Sequence, residues 1–207
     1  MTRIFIHGLG QTPAAWNGVL ERMGTENALC ADLPALLRDQ KAVYSVLYHN
    51  FEAACRASSD EPADLCGLSL GAVLALDYAV RNPEAVRSLA LIAPQYKMPK
   101  LLLKLQGSAF RRLPNAAFSQ TGFKRDDFLS LTESMAALDF TQSLPGLRRR
   151  TLVLAGEKDK ANRKAAQALA SLLPQAEYEA IPGSGHEANL EAPEWLADRL
   201  TRFFAGE

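Results

Sequence analysis

The sequence predicts an α/β protein: a doubly wound, mostly parallel six-stranded sheet with helices on both faces and a short helical cap. Two observations carry this reading. Short β-rich runs alternate with helical patterns along most of the 207 residues, and strands separated by helices pair in parallel and are covered on both sides. The rhythm breaks once, over residues 95–145, where the pattern is helical and no strand is evident. Residues 1–94 and 146–207 then form the core, and 95–145 form a cap inserted over one edge of the sheet.

Taken in order, residues 3–7 (RIFIH) read as the first strand, followed by a glycine-rich turn and a helix near 13–23. Residues 28–33 read as the second strand and 39–56 as a long helix. The third strand ends at 64–66, a helix follows at 70–81, and 88–93 (SLALIA) read as the fourth strand. Residues 151–155 (TLVLA) give the fifth strand, 162–173 a helix and 177–181 the sixth strand. In the last helix Pro193 suits the first turn and Glu194 its positive end, and Ala192, Leu196, Leu200 and Phe203 share one face.

Composition narrows the function. Lys plus Arg and Asp plus Glu are 23 each, so the net charge is zero and no whole-chain basic field exists to grip nucleic acid. Hydrophobic residues make up 48% and charged residues 22%, an ordinary globular balance. The three cysteines Cys30, Cys55 and Cys66 form no C-x-x-C pair, so neither a zinc site nor a disulfide framework is indicated. The N-terminus lacks a secretory apolar run, and no stretch reaches the roughly 18 apolar residues of a membrane span. These features lead to the expectation of a soluble, cytoplasmic protein.

In an open α/β sheet, ligands bind beyond the carboxyl ends of the strands, so the residues just after each strand matter most. After the third strand stands Gly67-Leu68-Ser69-Leu70-Gly71. G-x-S-x-G between a strand and a helix is the setting of a nucleophile elbow, in which flanking glycines permit a sharp turn that lifts the serine above the sheet. The Leu70 N–H at the helix start can face a developing oxyanion. The plainer alternative is a strand-to-helix turn with a capping serine.

A serine nucleophile needs a base, and the chain has three histidines, His7, His49 and His186. Only His186 follows Ser69, in the order Ser, acid, His that the elbow architecture requires. It lies in a glycine-flanked loop after the sixth strand. Between the two, the loop after the fifth strand offers Asp159, with Glu157 as its substitute; the acid would hold the imidazole and stabilise imidazolium. After the first strand, His7-Gly8-Leu9-Gly10 lets the Leu9 N–H join Leu70 as a second oxyanion donor. A rival reading takes Gly8-x-Gly10 with Asp32 as a dinucleotide-binding oxidoreductase fingerprint, but Pro13 stands at the third glycine position and Ser69 and His186 go unexplained.

Together HGLG at 7–10, GLSLG at 67–71, GEKD at 156–159 and PGSGHEANLEAPE at 182–194 resemble the α/β-hydrolase superfamily in order and context. The resemblance implies a minimal α/β-hydrolase fold, Ser69 as nucleophile, His186 as base, Asp159 as acid, backbone amides of Leu9 and Leu70 as the oxyanion hole, and 95–145 as the cap. With these roles the reading is a serine carboxylesterase acting on a small-molecule ester, with no metal or organic cofactor, and the acyl or lysophospholipid-like character of that ester is read from the cap. Related triads also serve C–C hydrolysis, lyase and acyl-transfer chemistry or ligand binding without turnover. The sequence departs from the family pattern by opening directly at the strand before HGLG, by reading Asp32-Leu33-Pro34-Ala35 after the second strand, and by its short cap. Between residues 97 and 125 the cap has seven basic residues (Lys97, Lys100, Lys104, Arg111, Arg112, Lys124, Arg125) and no acidic one. That fits an amphipathic cap with its basic face in water, or a weak preference for anionic acyl chains or an anionic lipid surface. Nothing in the sequence fixes the oligomeric state.

Overall fold

The computed structural model describes residues 1–24, 26–37, 40–99, 103, 110–118 and 121–207. Its strands are β1 (Arg3–Ile6), β2 (Ala28–Ala31), β3 (Ala63–Leu68), β4 (Val86–Ile92), β5 (Arg150–Gly156) and β6 (Ala176–Ile181). They form one six-stranded sheet in the order β2-β1-β3-β4-β5-β6, with every pairing parallel. The chain therefore winds outward both ways from β1 and β3. The turns that leave those two neighbouring strands diverge there, which opens the crevice where α/β sheets bind ligands.

Strand alternation splits the core into two layers. Ile4, Ile6, Leu65, Leu89, Leu91 and Val153 face one side. Phe5, Cys66, Leu68, Ala90, Ile92 and Leu154 face the other. The first layer is covered by α3 (Tyr44–Ser58), α4 (Leu70–Arg81) and α6 (Lys160–Leu172). The second is covered by α1 (Asn17–Met23) and the C-terminal α8 (Pro193–Ala205). Leu196, Leu200 and Phe203 of α8 are fully buried; each such side chain contributes about 1.5–3 kcal/mol on leaving water. Trp16, also fully buried, seats the start of α1 against Phe5 with ring centroids 5.3 Å apart.

Several boundaries differ from the sequence reading. β2 stops at Ala31, and Leu33–Leu37 forms a short helix, α2, instead of continuing the strand. Pro34 suits that helix, because its missing N–H falls in the first turn where no acceptor is needed. The long helix begins at Tyr44 and runs to Ser58; Asp39, the expected start, lies outside the described residues. Ala93, expected as the last residue of a strand, instead leaves β4 with a left-handed φ of 49°. The C-terminal helix is preceded by a separate short helix, α7 (Ala188–Glu191). Within residues 95–145 the described chain contains α5 (Arg125–Met135) and an antiparallel bridge between Lys97 and Asp139. Lys100, Leu101, Leu102, Lys104 and Leu105, part of the expected cap pattern, lie outside the described residues. Among the described residues no helix is long and apolar enough to cross a membrane.

The junction of β1, β3 and α4 allows no side chain at its glycines. A Cβ on Gly71 would lie 2.2 Å from the Ile6 carbonyl oxygen, and one on Gly67 would lie 2.3 Å from the Gly71 carbonyl oxygen. Both obstacles are backbone, so neither can swing aside. Replacing Gly71 with alanine should lower the unfolding free energy by about 3 kcal/mol or more, read as a shift of the urea midpoint; an unmoved midpoint would mean the contact is not as tight as described.

Candidate active site

Ser69 leaves β3 at φ 54° and ψ −112°. A residue with a side chain pays about 1–3 kcal/mol to sit in such a region, so surrounding structure must impose it. Here the Ser69 N–H donates to the Ile92 carbonyl at 2.9 Å, and the Ser69 carbonyl accepts from the Val73 N–H at 3.1 Å. One bond ties the turn to β4 and the other makes it the first turn of α4, every residue of which from Leu70 to Ala79 is buried. The hydroxyl is thereby raised at the carboxyl edge of the sheet.

Asp159 and His186 arrive from β5 and β6. Asp159 is the N-cap of α6, accepting from the Asn162 N–H at 3.2 Å. The His186 Nδ1 lies 2.7 Å from Asp159 Oδ2. The Asn162 amide nitrogen is 3.0 and 2.9 Å from the two Asp159 oxygens and 3.1 Å from His186 Nδ1. Only one assignment satisfies all three groups: Nδ1 carries its hydrogen toward Asp159, and Asn162 donates to the carboxylate. That leaves His186 Nε2 as the ring nitrogen open to other partners. Burial pushes the Asp159 carboxyl up, but hydrogen bonds from His186 and Asn162 outweigh it and hold it below its ordinary range. Helix α6, whose positive end it caps, favours the same charged form.

Glu157, the other acid considered, points elsewhere: its Oε2 accepts from the Gly183 N–H at 3.0 Å. It steadies the near arm of the His186 loop. The far arm is held by Glu191, whose carboxylate accepts from the Gly185 N–H at 2.5 Å and the Glu187 N–H at 3.1 Å. The two amides flanking His186 thus share one acceptor. The loop can approach β5 because Gly156 has no side chain; a Cβ there would lie 2.0 Å from the Gly185 carbonyl oxygen.

Leu9 and Leu70 line the same cavity of about 410 Å³ as Ser69, Asp159 and His186. The Leu70 N–H opens α4, where helix geometry provides no internal acceptor, and the Leu9 N–H meets no protein acceptor among the described residues. The Leu9 turn is fixed from the side by a reciprocal amide pair. Gln11 Nε2 donates to Asn189 Oδ1 and Asn189 Nδ2 to Gln11 Oε1, each at 3.1 Å. The Gln11 oxygen also accepts from the Gly8 N–H at 3.2 Å. This buried pair locks the turn after β1 to the segment after His186. Gln11, Asn162, Asn189 and Glu191 escaped the sequence reading. Asn162 alone carried a local signal, since a residue three positions after a helix-capping aspartate is the one its carboxylate meets.

His7 lies below the site and takes no part in the cavity. Its Nδ1 is 2.8 Å from the Gly8 carbonyl oxygen and its Nε2 accepts from the Leu33 N–H at 3.3 Å, so the ring is neutral with its hydrogen on Nδ1. His49 is exposed on α3. The basic residues between 97 and 125 are partly answered by acids just beyond that stretch: Lys97 pairs with Asp139 at 3.0 Å and Arg111 with Glu133 at 2.7 Å. Among the described residues no group of three or more His, Cys, Asp or Glu could hold a metal ion.

The comparisons with known proteins agree with this architecture. The model of the Alpha/beta hydrolase family matches residues 4–199, and the chain belongs to that family. It is 29% identical over 186 residues to the polyketide synthase ThaQ of Burkholderia thailandensis, a match covering 72% of this chain and 9% of that one. The chain thus spans about a tenth of that relative's length. Its fold is similar to a thermophilic esterase of Thermogutta terrifontis, with a TM-score of 0.83 at 20% identity over 99% of this chain and 89% of that one. It is likewise similar to a carboxylesterase structure of the Thaumarchaeon Nitrososphaera gargenis, with a TM-score of 0.85 at 16% identity over 99% and 89% of the two chains.

Burial holds the His7 pKa below 6.5, against the opposing pull of the Gly8 carbonyl and Asp32. The unfolded chain therefore binds this proton first as pH falls. The stability it supports is complete above about pH 6.5 and declines as pH drops through the lowered folded value. Urea midpoints at about pH 7.5 and about pH 5 should show a loss in the parent protein that is smaller in His7→Phe; equal losses in both would remove His7 as the cause.

Proposed function

We propose that the chain is a serine hydrolase that cleaves a carboxylic ester through an acyl-enzyme, with Ser69 as nucleophile, His186 as base and Asp159 as acid. The observation that carries this reading is the 2.7 Å contact of His186 Nδ1 with Asp159 beside a left-handed Ser69 on one shared cavity. Family membership supports hydrolytic chemistry, and the esterases of similar fold are consistent with an ester substrate.

In the first half-reaction, Ser69 Oγ bonds to the ester carbonyl carbon while His186 Nε2 takes the serine proton. The carbonyl oxygen becomes an oxyanion facing the Leu9 and Leu70 amides, each such donor being worth about two to three powers of ten in rate. As the intermediate collapses, the carbon–oxygen bond to the alcohol breaks and His186 returns the proton to it. Water then attacks the acyl carbonyl carbon while His186 Nε2 takes its proton, the bond from that carbon to Ser69 Oγ breaks, and His186 returns the proton to Oγ, releasing the carboxylic acid and the free serine. Asp159 stays ionised throughout and stabilises the imidazolium. The acyl chain lies along the apolar wall formed by Leu9, Val73, Met98, Leu103, Phe110 and Met135.

A fluorophosphonate probe should label Ser69, with labelling abolished in Ser69→Ala. Asp159→Asn should retain the fold and lose about four orders of magnitude in kcat for a p-nitrophenyl ester. A folded protein that the probe does not label, or an Asp159→Asn variant with full activity, would defeat the assignment.

A further inference from the structure

We propose that the cavity is shaped for an acyl group that carries an oxygen substituent, a hydroxyl or an oxo group, on its chain, and that Thr132 recognises that oxygen. The inference rests on the acyl-hydrolase reading above and sharpens its substrate class.

The cavity has two kinds of wall. Around Ser69 the polar groups are engaged with one another: His186 and Asn162 meet Asp159, and Gln95 Nε2 donates to Asn162 Oδ1 at 2.8 Å. The other lining is largely apolar and includes Met98, Leu103, Phe110 and Met135, and Thr132 on α5 lines the same cavity. Thr132 is only 4% exposed, and its hydroxyl meets no hydrogen-bond partner among the described residues. A buried helical threonine or serine ordinarily turns its hydroxyl back onto a carbonyl of the preceding turn. Ser134, two residues further along the same helix, does so, donating to the Leu131 carbonyl at 2.9 Å; Thr132 does not.

The Thr132 oxygen is also not sealed away. Among the described residues the buried side-chain atoms with neither a partner nor any opening are Arg3 Nε, Trp16 Nε1 and Tyr178 Oη. The Thr132 oxygen is outside that group, so it keeps an open face, and the free space beside Thr132 is the cavity. A plain alkyl chain laid along this wall would cover the hydroxyl and leave it unpaired, which is unfavourable. A chain bearing a hydroxyl or carbonyl oxygen would pair with it, since a threonine hydroxyl both donates and accepts. The same wall therefore discriminates between two chains of nearly equal size by chemistry rather than by volume.

The test compares kcat/KM for p-nitrophenyl hexanoate with the 3-hydroxy, 4-oxo and 5-oxo hexanoates, in the parent protein, Thr132→Val and Thr132→Ser. The parent should favour at least one oxygenated ester about five- to tenfold, the factor that one net neutral hydrogen bond supplies. In Thr132→Val, which keeps the shape and removes the hydroxyl, that ratio should fall to about one, and Thr132→Ser should restore it. Equal turnover of all four esters by the parent, or an oxygen preference that survives in Thr132→Val, would overturn the inference while leaving the acyl-hydrolase reading intact. Failure of the parent to hydrolyse any of the four would overturn both.

Discussion

Ser69 occupies a backbone region that an isolated serine avoids, and the site depends on what holds it there. The constraint is steric and local. Gly67 and Gly71 bring backbone against backbone at distances no side chain could share, and the Ile6 carbonyl closes the junction from the neighbouring strand. Hydrogen bonds to Ile92 and from Val73 then commit the turn to β4 on one side and to α4 on the other. The strain is offset by the burial of α4 between the sheet and its neighbouring helices. Because β1 and β3 are adjacent in the sheet, the same packing brings the Leu9 turn beside the serine.

The other half of the site is carried by loops, and loops need their own restraints. The His186 loop is held by carboxylates at both arms, Glu157 on Gly183 and Glu191 on Gly185 and Glu187. Gln11 and Asn189 then join it to the Leu9 turn through a buried amide pair. The consequence is mechanical coupling: His186 and the Leu9 turn, which come from opposite ends of the chain, are positioned by one hydrogen-bonded unit. Asp159 serves two ends at once, capping α6 and orienting His186, so the helix that closes the sheet also sets the ring nitrogen left free for chemistry. The segment of residues 95–145 reaches this unit through the Gln95–Asn162 bond. Its own core is aromatic, with Phe128 against Phe118 and Phe110 at ring separations of 4.8 and 5.2 Å, and its surface charges are partly paired internally.

What could be read in advance follows from the range of each signal. The strands and the Ser69 elbow are short-range features: alternation, two glycines and a helix start lie within a few residues of each other. Candidate His186 followed from chain order among three histidines. Asp159 and Glu157 stood two residues apart in one exposed-looking loop, and composition could not separate them; the capping geometry of α6 does, turning Asp159 inward and Glu157 toward Gly183. The Gln11–Asn189 pair spans 178 positions and leaves no local trace, because an amide pair needs only two polar residues of common type. The end of the second strand differs because Leu33, read as its last residue, opens the separate short helix Leu33–Leu37. The basic stretch between residues 97 and 125 reads as unopposed because Asp139 and Glu133, which pair with Lys97 and Arg111, lie just past it.

The proposed mechanism requires Ser69 to carry the acyl group during turnover. Acid-quenched reaction with a p-nitrophenyl ester within the first turnovers, followed by intact mass measurement and peptide mapping, addresses it directly. A mass increase equal to the acyl group is expected on the peptide containing Ser69, appearing with the burst of p-nitrophenol and decaying as free acid accumulates. Turnover of the ester with no adduct at Ser69, or with the acyl group on another side chain, would contradict it.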